Sequence, residues 1–159
     1  SPDFVLIMLG VNDWFSSYSD SAAETWNGRM NAVIQSIQAY ANAQSKTIKI
    51  GICTNTTRAA SENNSYHFNP ALNSRAMFKG RENTIKTFDT QEMKSAGVYV
   101  VDTGVCVDPD FGFTLQQVKP FDYYEGTARE WYDTNGVHPS DAGYKQLGTC
   151  AAGFIQYMR

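Results

Sequence analysis

Phe4-Val5-Leu6-Ile7-Met8-Leu9-Gly10-Val11-Asn12-Asp13 is the stretch that decides how the rest of the chain is read. Six large apolar residues run from Phe4 to Leu9 without a polar break, and beyond Gly10 the chain turns polar at Asn12 and Asp13. An unbroken apolar run of this kind predicts a strand buried on both faces, as in the middle of a parallel sheet. In open α/β sheets ligands bind beyond the carboxyl ends of the strands, so Gly10, Asn12 and Asp13 stand where chemistry is expected. The plain alternative is a polar turn that merely ends the strand.

The elements that follow agree with a parallel sheet. Ser21-Ala-Ala-Glu24 has capping-box spacing, and Trp26, Met30, Val33, Ile34, Ile37 and Ala41 recur at steps of three and four, which predicts a helix of about 20 residues with one apolar stripe. Thr47 to Cys53 alternates and is β-branched, giving a second strand. A helix between two strands at this interval implies a right-handed crossover and a parallel pair. Residues 54–73 carry no period and form a long loop at the same sheet edge as Asn12. From Ser74 to Ala96 the pattern is helical but interrupted at Gly80, with Ile85, Phe88 and Met93 inward and Gly97 as the stop. Val98 to Asp102 is a third buried strand.

Residues 103–137 are too long for an ordinary connection, which implies an inserted hairpin, a short helix or a functional loop. Seven of the 21 aromatic residues fall here: Phe111, Phe113, Phe121, Tyr123, Tyr124, Trp131 and Tyr132. They form either a satellite core or the wall of a ligand pocket. Pro139 fits the first turn of a last helix, whose apolar face is Tyr144, Leu147, Ala151, Phe154, Ile155 and Met158.

Composition narrows the function classes. The 159 residues suffice for one domain, and at 42% hydrophobic and 18% charged the chain is globular. A net charge of −3 without a Lys/Arg cluster leaves no electrostatic footprint for nucleic acid. No apolar run approaches the ~20 residues of a membrane span. Cys53, Cys106 and Cys150 lack metal-ligand spacing, allow at most one disulfide within the chain, and leave the redox compartment open. Cys53 and Cys150 read as core thiols and His67 as a surface residue. Only Ser1, Pro2 and Asp3 precede the first strand, so Ser1 is not expected to be the natural start of the domain.

His138 directly follows the aromatic segment and lies at the same sheet edge as Asn12. Its unperturbed pKa near neutrality suits a general base, and the Asn12 amide can donate to a developing oxyanion, so the pair points to ester chemistry. Gly10-Val11-Asn12-Asp13 after a buried strand, and Asn135-Gly136-Val137-His138-Pro139 before a terminal amphipathic helix, resemble the third and fifth blocks of the SGNH (GDSL-type) hydrolases. The two blocks come in the right order, about 125 residues apart, and the intervening elements agree over residues 4–159.

The resemblance implies a three-layer α/β/α fold of flavodoxin-like type with a parallel sheet, incomplete in this chain. It also implies hydrolysis of small esters, often acetyl groups on carbohydrate, with no metal or organic cofactor. Asn12 would be an oxyanion donor and His138 the base for a nucleophilic serine. Gly10, Asp13, Trp14, Trp131 and Tyr132 are the candidate substrate-binding residues.

Two departures stand out. The family's Gly-Asp-Ser and oxyanion-glycine blocks precede the Gly-x-Asn-Asp strand, and neither occurs here, nor does Gly-x-Ser-x-Gly. The serine is therefore expected on polypeptide outside this sequence, unless the chain is a degenerate copy. Where the family has an Asp three residues before the histidine, this chain has Asn135, which supports an imidazolium less than a carboxylate does; Asp133 is close enough to substitute, or a Ser–His dyad operates. Asp102-Thr103-Gly104 resembles the active-site turn of aspartic proteases, but those are nearly all β, and a polar strand end explains Asp102.

The competing class is a non-catalytic carbohydrate-binding or structural module that keeps the fold, such as part of a surface or virion assembly. The compartment is not legible in the sequence, an extracellular or virion-associated setting being favoured over the cytoplasm. If nothing precedes it, the first strand becomes a sheet edge with apolar side chains in solvent, and the chain is expected to be poorly soluble or oligomeric.

Overall fold

The computed structural model describes residues 2–14, 17–56, 74–108, 111–118 and 125–159, with backbone alone for 74, 115, 116, 118 and 130–137. His67, the loop 57–73, and Phe121, Tyr123 and Tyr124 lie outside the described residues.

Three strands, β1 (Phe4–Ile7), β2 (Lys49–Cys53) and β3 (Val98–Val101), form a wholly parallel sheet in the order β1-β2-β3. Phe4 stands opposite Lys49 and Ile7 opposite Ile52; Ile50 stands opposite Val98 and Cys53 opposite Val101. Alternation sends Ile7, Ile50, Ile52 and Val98 to one face, where they meet Trp26, Met30 and Ile34 of α1 (Asp20–Ala43) and Met77 and Phe88 of α2 (Ser74–Phe88). Leu6, Gly51 and Val101 face the other way, onto α4 (Asp141–Met158). A Cβ on Gly51 would lie 2.6 Å from Leu6, 2.9 Å from Val101 and 3.0 Å from Phe154, so only glycine lets α4 approach this closely. The Phe154 ring packs 6.0 Å from Tyr99. The result is the expected three-layer α/β/α arrangement.

The first strand is shorter and placed differently than its composition predicts. It ends at Ile7, and among the described strands it is an edge; the middle strand is β2, whose Ile50 and Ile52 are fully buried. Met8 and Leu9 are 50% and 56% exposed, because the chain leaves the sheet before them. Their hydrophobicity serves a cleft rather than the sheet.

Local signals account for most boundaries. Ser19, not Ser21, caps α1: its backbone is extended and its hydroxyl accepts from Ala22 N at 3.2 Å, while Ser21 falls inside the first turn. Gly80 does not interrupt α2. The helix runs through it because Trp14 packs there, and a Cβ would come within 2.3 Å of the indole. The break comes instead at Thr90, which caps the short α3 (Gln91–Ser95) by accepting from Met93 N at 3.2 Å. Gly97, with φ +76°, turns the chain into β3.

Residues 103–105 make a 3-10 turn, and β4 (Phe113–Val118) pairs antiparallel with β5 (Glu130–Pro139), with irregular register next to Phe113. Of the aromatic residues in this segment, Phe113 is buried with Val107 and Leu147 in a small second core, whereas Phe111 is 70% exposed. Pro139 ends β5 and does not enter the helix; Ser140 is the N-cap of α4, accepting from Gly143 N at 3.3 Å. His138 is thus delivered by a strand end, not by a helical turn.

Candidate functional site

The carboxyl ends of β1 and β2 build one side of a cleft. After β1, Gly10 takes φ +113°, and its carbonyl accepts from Asp13 N at 3.0 Å and Trp14 N at 3.2 Å, folding a tight turn that leaves Asn12 exposed. A Cβ on Gly10 would sit 3.1 Å from Asn55 Oδ1 and 3.3 Å from the indoles of Trp14 and Trp26. Backbone conformation and crowding both require glycine here.

The same cleft is lined by His138 and Pro139 at the end of β5 and by Tyr144 and Leu147 of α4. Together with Met8, Leu9, Val11, Asn12 and Thr54 to Thr56 they enclose a cleft of about 520 Å³. A larger groove of about 790 Å³ between α1 and α2 is shallow, with walls of mixed charge such as Glu24, Lys79 and Glu82. It holds neither His138 nor Asn12 and lies away from the strand ends, where chemistry is expected in such sheets.

Beneath the cleft a polar cluster fixes the β2 and β3 ends. The Thr54 hydroxyl donates to Asp102 Oδ1 at 2.7 Å and accepts from Gly104 N at 2.8 Å, and the Thr103 hydroxyl donates to the Thr54 carbonyl. Arg81 Nε donates to Asp102 Oδ1 at 2.8 Å, and Arg81 Nη2 pairs with Oδ2. Burial works against the Asp102 charge, but the hydrogen bonds from Arg81 and Thr54 and the guanidinium charge outweigh it and hold the carboxyl below its usual range. A carboxylate so paired is structural, and a Thr54 hydroxyl engaged at both ends is not a nucleophile. No serine among the described residues lines the cleft.

This pairing has a pH consequence. The folded-state pKa of Asp102 lies below its unfolded value of about 3.9, so its contribution is complete above that value and is lost as pH falls through the folded pKa. Melting temperature is expected to drop on acidification below about pH 4, and Asp102→Asn, less stable at pH 7, is expected to flatten that acid limb. Thermal melts between pH 2 and 7 check this; parallel curves for both proteins would remove Asp102 as a source of acid sensitivity.

Of the residues singled out in the sequence, Asn12 and His138 meet in the cleft and Gly10 lies beneath it. Asp13 is exposed on the turn, outside the cleft wall. Trp14 is not a pocket residue: it is wholly buried, its ring 5.5 Å from Tyr18 and 5.7 Å from Trp26, because the turn at Gly10 folds it back into the core. Asp133 and Asn135 stand opposite Leu115 and Thr114 in the hairpin register. Their side chains, and those of Trp131 and Tyr132, lie outside the described residues.

The sequence places the loop 54–73 at the Asn12 edge but does not single out Thr54, Asn55 and Thr56, which follow β2 as Asn12 follows β1 and which the strand-end rule could have found. For Tyr144 and Leu147 no sequence signal separates a cleft wall from a core face. Among the described residues no group of three His, Cys, Asp or Glu could hold a metal ion, and no helix is long and apolar enough to cross a membrane.

A strand-end asparagine and a histidine lining one cleft fit acyl transfer, and the comparison with known families agrees: the model of the GDSL-like lipase/acylhydrolase family matches residues 1–146. The chain belongs to this family. No curated protein and no solved structure matches it. Membership in the GDSL-like acylhydrolases brings ester hydrolysis as the general activity, on an α/β fold like the one described.

Proposed function

We propose that this GDSL-type chain forms part of a serine esterase for small acyl esters, acetyl esters on carbohydrate in particular, with the nucleophilic serine supplied by polypeptide outside the chain. The observation that carries the reading is the meeting of Asn12, from the β1 turn, and His138, from the end of β5, in one cleft. The absence of any Gly-Asp-Ser in the sequence supports a serine from elsewhere. That polypeptide is the expected partner, and the small acylated molecule is the substrate.

In this mechanism the serine Oγ attacks the acyl carbonyl as His138 takes its proton. Asn12 Nδ2 and backbone N–H groups hold the oxyanion, and His138 returns the proton to the leaving alcohol. Water, deprotonated by His138, then releases the acid from the acyl-enzyme. Asn135 or Asp133 supports the imidazole. Asn135 in place of the family's Asp favours a second reading, a carbohydrate-binding or structural module that keeps the fold without turnover.

Labelling the protein as prepared with a serine-directed fluorophosphonate, then mapping the adduct by peptide mass spectrometry, separates the cases. A label on a serine from other polypeptide is expected. A label within the 159 residues would overturn the external nucleophile, and no label at all would favour the binding module.

A further inference from the structure

The turn that follows β3 and the inner face of α4 bring two thiols together. The Gln146 side chain accepts from Asp108 N at 2.9 Å, and Leu147 packs with Val107 and Phe113, so this stretch of α4 lies along residues 107–113. Cys150 is one helical turn beyond Gln146 on the same face, and Cys106 is two residues before Asp108. The Cys106 and Cys150 thiols are close enough to influence each other's ionisation, and Cys106 Sγ lies 3.5 Å from the Asp102 carbonyl oxygen. Both cysteines are half-buried, so a small oxidant can reach them, whereas Cys53 is buried in the sheet.

We propose that Cys106 and Cys150 are an oxidisable pair, a modification site at which a small disulfide oxidant forms an intrachain cystine that ties α4 to the turn after β3. The chemistry balances by exchange. One thiol, as its thiolate, attacks the oxidant R–S–S–R and expels one R–SH; the second thiol then displaces the other R–SH. The protein loses two electrons and two protons, and the oxidant gains them. Burial, then the Cys150 contact and the nearby Asp102 charge, push the Cys106 thiol up to about 12, so little of it is thiolate near neutral pH and the exchange is slow there.

The cystine closes a loop of 45 residues, 106–150, that contains the hairpin and His138. It clamps the α4 wall of the cleft, with Tyr144 and Leu147, to the sheet. The inference is independent of the esterase reading, since it needs neither the serine nor turnover.

The test is incubation of the protein with oxidised glutathione, followed by non-reducing peptide mapping and a thermal melt. A peptide pair joined through Cys106 and Cys150 is expected, together with a rise in melting temperature on the order of 10 °C that dithiothreitol reverses. Cys53→Ser is expected to keep both signals and Cys150→Ser to lose both. Separate glutathione adducts, a bond that includes Cys53, or thiols that all remain open to alkylation would each overturn the proposal, and the mapping reads these outcomes even if a variant folds poorly.

Discussion

Replacing His138 by alanine in the full-length protein is expected to lower kcat for a small activated acetyl ester by about 10⁴-fold while leaving KM within a few-fold. On the proposed mechanism the histidine moves the serine proton in both half-reactions and contributes little to ground-state binding, so the expected loss falls on the transition state. Its side chain is exposed at the rim of the cleft, and the melting temperature is expected to shift by no more than about 2 °C, so that lost activity reads as lost chemistry. Asn12→Ala is the smaller companion, with a loss of about 10² to 10³-fold, the usual cost of one oxyanion donor. Steady-state kinetics on p-nitrophenyl acetate decide both. Turnover retained by His138→Ala would remove it as the general base and with it the proposed mechanism.

Trp14→Ala is expected to cost about 3–5 kcal/mol, a large share of the ~5–15 kcal/mol that holds a domain together. The indole is wholly buried between Trp26, Tyr18 and the backbone of α2 at Gly80, and its removal empties the centre of the larger core. The same contact predicts a reversal. In the parent, Gly80→Ala forces a methyl to within 2.3 Å of the indole and destabilises by about 1–3 kcal/mol. In the Trp14→Ala background that methyl enters vacated space, and alanine is the better helix former by about 1 kcal/mol, so the second change is expected to stabilise. Chemical denaturation of the four proteins measures the coupling. Additive costs would show that Trp14 does not pack on Gly80.

These two sites show how unevenly the sequence discloses its content. The Phe4–Leu9 run, the stripe of α1, the β-branched Thr47–Cys53 and the Val98–Val101 run are local signals, set by which side chains must avoid water at a period of 2 or 3.6 residues, and they were enough for an α/β fold with a parallel sheet. The strand-end rule was likewise enough to place Asn12 at the cleft edge. Trp14 could not be placed that way. A tryptophan beside a polar turn looks the same in sequence whether it faces a ligand or folds back, and what decides is the left-handed Gly10 together with a glycine on a helix distant in the chain.

Gly80 misleads for the same reason: its low helix propensity costs about 1 kcal/mol, and a tertiary contact that no larger residue permits outweighs it. Met8 and Leu9 carry hydrophobicity that sequence assigns to the sheet and the fold assigns to the cleft. The sequence by itself determined the three parallel strands, helices α1 and α4, and the strand-end position of Asn12, because those follow from periodicity and local chemistry. Only the tertiary structure decided which strand is central, which aromatic is core, that a hairpin carries His138, and that α4 packs Cys150 near the turn of Cys106, because each depends on the packing of segments far apart in the chain.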